Sequence, residues 1–156
     1  MAVEAIGGVT IRPARRSEWE LLREIAFRAK SHWGYDAETV RSWAARMDLG
    51  REPNREVYVA QLNGQPIGWS SLIPKGEAAW LDDLWIEPAW MGKGAGARLF
   101  RHAADRARQL GASRLEWEAE PNAIGFYEKM GGQYLRETEP NEWGRRLAIM
   151  GLTLAV

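Results

Sequence analysis

The chain has 156 residues, enough for one domain with a substantial core, and no apolar run long enough to span a bilayer. Its 21 Lys and Arg balance 21 Asp and Glu, so no general attraction to nucleic acid or to an anionic membrane is expected. The absence of cysteine excludes disulfides, thiolate catalysis and cysteine-zinc sites, and two histidines, His32 and His102, form no recognisable metal motif.

The opening "MAVEAIGGVTIRP" lacks the basic and long apolar regions of a secretory signal, which predicts a soluble, cytoplasmic protein. "GVTIRPA" reads as a strand ended by Pro13. Ser17 and Glu20 then stand at capping-box spacing, predicting a helix to about Lys30 with Leu21, Leu22, Ile25 and Ala29 on its apolar face. After "HWGY", Asp36 is placed to cap a second helix carrying Val40, Trp43, Ala44 and Met47. Apolar-polar alternation on both sides of Asn63-Gly64 predicts a hairpin, and "KGE" turns the chain into a third strand, "AAWLDDLWIEP".

From Gly94 to Leu110 the pattern is helical, with Gly111 as its end signal. "SRLEWEA" follows as a strand, and a helix before it makes it parallel to the last strand of the meander. "NAIGFYEKM" forms a short helix stopped by Gly131-Gly132, and "GQYLRE" and "RRLAIMGLTLA" close the chain as strands. The order is β-α-α-β-β-β-α-β-α-β-β, one mixed α+β domain over residues 1–156.

The chemistry concentrates in "PAWMGKGAGARLF", residues 88–100. It is not a Walker A loop, because Lys93 precedes Gly94 and no hydroxyl follows. Gly92, Gly94 and Ala97 do satisfy a dinucleotide fingerprint, with Glu116 about 20 residues on. However, an antiparallel meander precedes the loop, and too little chain remains for repeated parallel units. A helix N-terminus with glycines and Lys93 suits a pyrophosphate of another kind.

Taken with "NAIGFYEKMGG", the loop makes the sequence resemble the GCN5-related N-acetyltransferase superfamily from "VTIRPA" onward. The resemblance implies a central, mostly antiparallel sheet of six to seven strands with one splayed parallel pair, flanked by about four helices. It also implies acetyl-CoA as co-substrate and an amine acceptor. The family's glycine motif maps to Met91, Gly92, Lys93, Gly94, Ala95 and Gly96, with Met91 departing from the usual Gln or Arg. Leu84, Trp85 and Ile86 match the strand that holds the pantetheine arm through its backbone. Asn122 matches a cofactor contact, and Tyr127 the tyrosine that points at the sulfur.

The reaction implied is direct attack of a primary amine on the thioester through a tetrahedral intermediate. Tyr127 is the expected acid for the departing thiolate, and a backbone amide near Ile86 the oxyanion donor. Glu118 is the first candidate for the base. Asp82, Asp83, a water relay or no base at all stay open. Trp33, Tyr35 and Asp83 are expected on the acceptor side, with "WGRRLAIM" near it. Two other classes compete: a non-catalytic acyl-CoA-binding module and an NAD(P)-binding enzyme. Exposed strand edges and nine tryptophans are compatible with a homodimer.

Overall fold

The computed structural model describes residues 8–155. Strand β1 (Val9–Pro13) leads into a 3-10 turn over Arg16–Glu18 and then helix α1 (Trp19–Ser31). The capping box is Arg15–Glu18, two residues upstream of the Ser17–Glu20 box. The Glu18 carboxylate accepts from the Arg15 amide at 2.8 Å and from the Arg12 guanidinium at 2.9 and 2.7 Å. A carboxylate that meets both a free amide and a cation from β1 outcompetes a neutral serine cap. These bonds, Arg12 first, hold the Glu18 carboxyl at about 2. The buried stripe of α1 is Leu22, Ile25, Ala26, Ala29 and Lys30, whereas Leu21 faces solvent.

Helix α2 (Ala37–Ala45) starts where predicted, with the Thr39 amide donating to the Asp36 carboxylate at 3.0 Å. Strands β2 (Glu56–Leu62) and β3 (Gln65–Lys75) meet at Asn63-Gly64, whose φ values of 53° and 78° suit a tight hairpin. Strand β4 (Ala78–Ile86), helix α3 (Ala95–Gln109), strand β5 (Arg114–Ala119), helix α4 (Ile124–Lys129) and strands β6 (Gln133–Glu137) and β7 (Ala148–Thr153) complete the predicted order.

The seven strands form one sheet in the order β1-β2-β3-β4-β5-β7-β6, antiparallel throughout except for β4 and β5. Neighbouring residues on β2 show its two faces. Val59 joins Leu22, Ile25, Ala26 and Trp69 beneath α1, while Ala60 joins Leu99 and Ala95 beneath α3. Burying Leu22 and Ile25 contributes about 1.5–3 kcal/mol each. A larger cluster centred on Phe100, Trp117, Tyr127 and Met150 lies on the α3 and α4 side. Among the described residues, no helix is long and apolar enough to cross a membrane.

Two irregularities of β4 shape everything near the candidate site. Ser71 pairs with Asp83 but Leu72 pairs with Leu81, so Asp82 is an extra, bulged residue. The bulge reverses the alternation: Ala79, Leu81 and Leu84 all reach the α3-side core, and Trp85 packs on the α1 side. Pairing of β4 with β5 also stops early, running only from Ala78–Arg114 to Trp80–Glu116. Beyond that pair the two strands separate.

Gly68 of β3 sets how closely β4 approaches at its far end. A Cβ there would lie 2.8 Å from the Trp85 carbonyl oxygen and 2.7 Å from Ile86 Cδ1. Gly68→Ala is expected to push β4 outward and cost about 1–3 kcal/mol of stability. Urea denaturation checks this, and a midpoint equal to the parent's would contradict it.

Candidate active site

The separated ends of β4 and β5 form a fork. Leu84 and Ile86 place their side chains in the core against α3, so this end of β4 keeps a backbone edge without a β5 partner. Tyr127 of α4 packs at the fork, its ring 5.0 Å from Trp117, 5.1 Å from Phe126 and 6.1 Å from Phe100. It is 7% exposed, and its hydroxyl makes no hydrogen bond among the described residues. Burial, then the negative charges of Glu120 and Asp83, push the phenol well above its ordinary range. Tyr127 therefore keeps its proton at neutral pH.

The glycine loop runs directly from β4. A 3-10 turn over Pro88–Trp90 carries the chain to Met91, which is extended, and Gly92 follows with φ of 74°. Gly94 is the residue before α3, left-handed at φ of 98°, and no side chain caps the helix. The first-turn amides after Gly94, beginning at Ala95 and Gly96, thus lack a side-chain acceptor at the positive end of a 15-residue helix. Lys93 is exposed, its ammonium 5.6 Å from the Trp90 ring centre. Asn122 is exposed too, and its side-chain amide donates to Glu120 at 3.1 Å. The fork and the uncapped helix follow one another along the chain from β4, and Tyr127 of α4 shares a core cluster with Leu84 of that strand.

The acetyltransferase (GNAT) family model matches residues 7–132. The chain belongs to that family. An uncharacterized N-acetyltransferase of Methanocaldococcus jannaschii is 27% identical over 135 residues, covering 78% of this chain. The match spans 59% of that relative's own length. A GCN5-related N-acetyltransferase from Rhodopseudomonas palustris superposes with a TM-score of 0.81 at 22% identity, covering 96% of this chain and 98% of its own. The PaiA N-acetyltransferase of Thermoplasma acidophilum, solved with coenzyme A, gives 0.78 at 21% identity, covering 93% and 98%. At these identities the two structures establish the GNAT fold.

On the α1 side of the sheet, this GNAT chain encloses a lysine in aromatic rings. The Lys30 ammonium lies 4.7 Å from the Tyr35 ring centre, 5.0 Å from Trp143, 5.4 Å from Trp43 and 5.9 Å from Trp85. The walls are two ring pairs: Tyr35 stacks on Trp143, and Trp43 meets Trp85 edge-on. The Asn141 side-chain oxygen accepts from the Trp143 and Arg145 amides, which fixes the loop between β6 and β7. Tyr35 donates its hydroxyl to Glu120 at 2.8 Å.

Trp33 is not part of this cage. It is 39% exposed and stands edge-on to His32. Sequence reading placed Lys30 at an ordinary helix end, Trp43 on an apolar face and Trp85 on the cofactor strand. Only the density of aromatics around "HWGYDAETVRSW" hinted at the cage, because that segment holds two of its rings and the other two, Trp85 and Trp143, come from distant parts of the chain.

The carboxylates near the fork differ sharply. Glu116 is buried, and burial pushes its carboxyl up. Bonds from Arg114 at 3.0 Å and Arg136 at 3.2 Å outweigh that and leave it below its ordinary value. Glu118 shares its strand face but makes no ion pair among the described residues. Loss of surrounding water raises its carboxyl, the Asp82 charge adds to this, and Lys30 opposes. Its side chain stays solvent-accessible, so this is the effect of a crowded, open cleft.

Asp83 is the buried member, at 8% exposure. Ser71 donates to it at 2.6 Å, Trp85 at 3.0 Å and Arg55 at 3.3 Å. Burial, joined by the charge of Asp82, outweighs these donors and carries the Asp83 carboxyl to about 6. A carboxyl raised on folding stabilises the fold below its unfolded value near 3.8 and loses that contribution as pH rises through 6. Asp83→Asn should therefore gain stability relative to the parent between pH 4 and pH 7. Urea midpoints across that range test it, and a gap independent of pH would contradict it.

Proposed function

We propose that this chain transfers an acetyl group from acetyl-CoA to a primary amine, with Tyr127 as acid and Glu118, directly or through water, as base. The observation that carries this reading is the fork between β4 and β5, opening beside the uncapped N-terminus of α3 with Tyr127 packed at it. Family membership supports acetyl-CoA as the donor.

The chain's own groups suit each task. The amides and dipole of α3, with Lys93, would hold the pyrophosphate. The backbone of Leu84, Trp85 and Ile86, unpaired on the fork side, would hold the pantetheine arm. A fork lets thioester and amine approach from opposite faces of the sheet, fixing their orientation before reaction. Glu118 would take a proton from the acceptor ammonium, the freed nitrogen would bond to the acyl carbon and give its second proton to water, and the carbon–sulfur bond would break. An amide near Ile86 would stabilise the oxyanion, and Tyr127 would give its phenol proton to the departing thiolate.

Asn122, already bonded to Glu120, would turn one amide edge toward the cofactor. Met91 contributes backbone at the first position of the glycine motif, where the family usually has a polar side chain. Tyr35 and Asp83 lie on the acceptor face of the fork, and Trp33 is assigned to the acceptor entrance by its position after α1.

Isothermal titration with acetyl-CoA should show saturable binding, and none at near-millimolar ligand would remove this reading. Tight binding without transfer to any amine would instead make the chain a binding module, and enhancement of NADH fluorescence would revive a dinucleotide site. Tyr127→Phe should lower kcat by about 100-fold or more while leaving acetyl-CoA affinity nearly unchanged. Equal turnover in mutant and parent removes Tyr127 as the acid. A base must be ionised to act, so activity should rise with pH through the raised value of Glu118. Glu118→Gln should flatten that acid limb, and an unchanged limb would assign it to Asp82, Asp83 or bulk water.

A further inference from the structure

The aromatic cage leaves the Lys30 ammonium without a protein acceptor among the described residues. Ring faces satisfy a positive charge, but an ammonium also carries three N–H donors. Lys30 is 8% exposed, yet its ammonium makes no hydrogen bond or ion pair among the described residues. Two of the three carboxylates whose charge acts on Lys30 are otherwise engaged. Glu120, whose charge acts most strongly on Lys30, accepts from Tyr35 and Asn122. Glu142 pairs with Arg46 at 2.8 Å.

A second cation flanks the cage. The Arg145 guanidinium stands 5.5 Å from the Tyr35 ring centre, and its charge also acts on Lys30. Two cations on one aromatic wall repel each other, a cost that an anion between them would remove. The ring faces are already occupied by Lys30, so an acceptor cannot place its own ammonium there without meeting like charge.

We infer that the acceptor carries a carboxylate, held by the caged ammonium of Lys30 with Arg145 as second cation. This rests on the acetyl-transfer reading and narrows the acceptor to amino-carboxylic acids. The charge of Glu118 acts on Lys30, so the proposed base is within electrostatic reach of the anchor. A single small molecule would then bridge them, its carboxylate at the cage and its amine toward Glu118. Lys30 is a specificity determinant here and does not touch the reacting atoms.

Matched pairs that differ only by a carboxylate test this. Free thiol release should be measured with L-lysine against cadaverine and L-ornithine against putrescine. The carboxylate-bearing member should be favoured at least tenfold in kcat/KM. Lys30→Met should abolish that preference through KM while preserving the rate with the diamine, and Lys30→Arg should restore part of it. Preference for the diamines in the parent, or an equal loss with both members in Lys30→Met, overturns the inference. Arg145→Gln, on an exposed loop, should weaken the same preference and serves if Lys30→Met does not fold.

A second readout needs no turnover. Tryptophans 43, 85 and 143 line the cage, so fluorescence titration with L-lysine should saturate in the parent but not in Lys30→Met, and cadaverine should give no such change. Binding of this kind without transfer to any amine would overturn the proposed reaction and keep the anchor. Transfer without carboxylate preference would keep the reaction and overturn the anchor, and absence of both overturns both.

Discussion

The single extra residue at Asp82 governs the architecture of the site. A strand alternates its side chains with period two, so without the bulge Ala79, Leu81, Asp83 and Trp85 would all share one face. They cannot, because that face is the core under α3, where a carboxylate would be buried among Phe100, Leu115 and Trp117. The bulge turns Asp83 and Trp85 to the α1 side and returns Leu84 and Ile86 to the α3 core. It also comes just after the last pair with β5, so the loss of pairing and the change of face coincide. The result is a backbone edge with apolar support on one side and polar chemistry on the other.

Charge distribution around this fork follows from who is already paired. Glu116 is fixed by two arginines and reads as structural, while Glu118, two residues on, lies beyond the last pair with β4 and feels Asp82 as a like charge. Asp83 is satisfied by three donors and still raised, because burial of a carboxylate next to another costs more than those bonds return. Lys30 is the converse case. Its charge is accommodated by π-faces, burial lowers its ammonium value, and its hydrogen-bonding capacity is left over. The two sides of the cleft thus offer unlike chemistry: carboxylates on the sheet and an enclosed cation under α1 and α2.

Much of the fold could be read from periodicity and punctuation. Asn63-Gly64 fixed one hairpin, Asp36 one helix start and Gly111 one helix end, since each is a local preference that its surroundings reinforce. The helix start at Ser17 was misplaced for the opposite reason. Glu18 meets Arg12, a residue of the preceding strand, and that contact is invisible to a rule about spacing within a helix. Leu21, an apolar residue at a plausible position, faces solvent because the helix rotates to bury Ala26 instead. The glycine loop and Tyr127 were legible because the family pattern is local. The cage was not, since Lys30, Tyr35, Trp43, Trp85 and Trp143 converge from five positions spread over more than a hundred residues.

The sequence by itself determined the element order, the family and the loop that opens α3. Those depend on short-range preferences for turns, caps and strand alternation. Tertiary structure decided which carboxylates are spent on arginines, which face of β4 Asp83 occupies, and what encloses Lys30. Each of those is settled by long-range pairing and burial, where one inserted residue changes the face of every side chain after it.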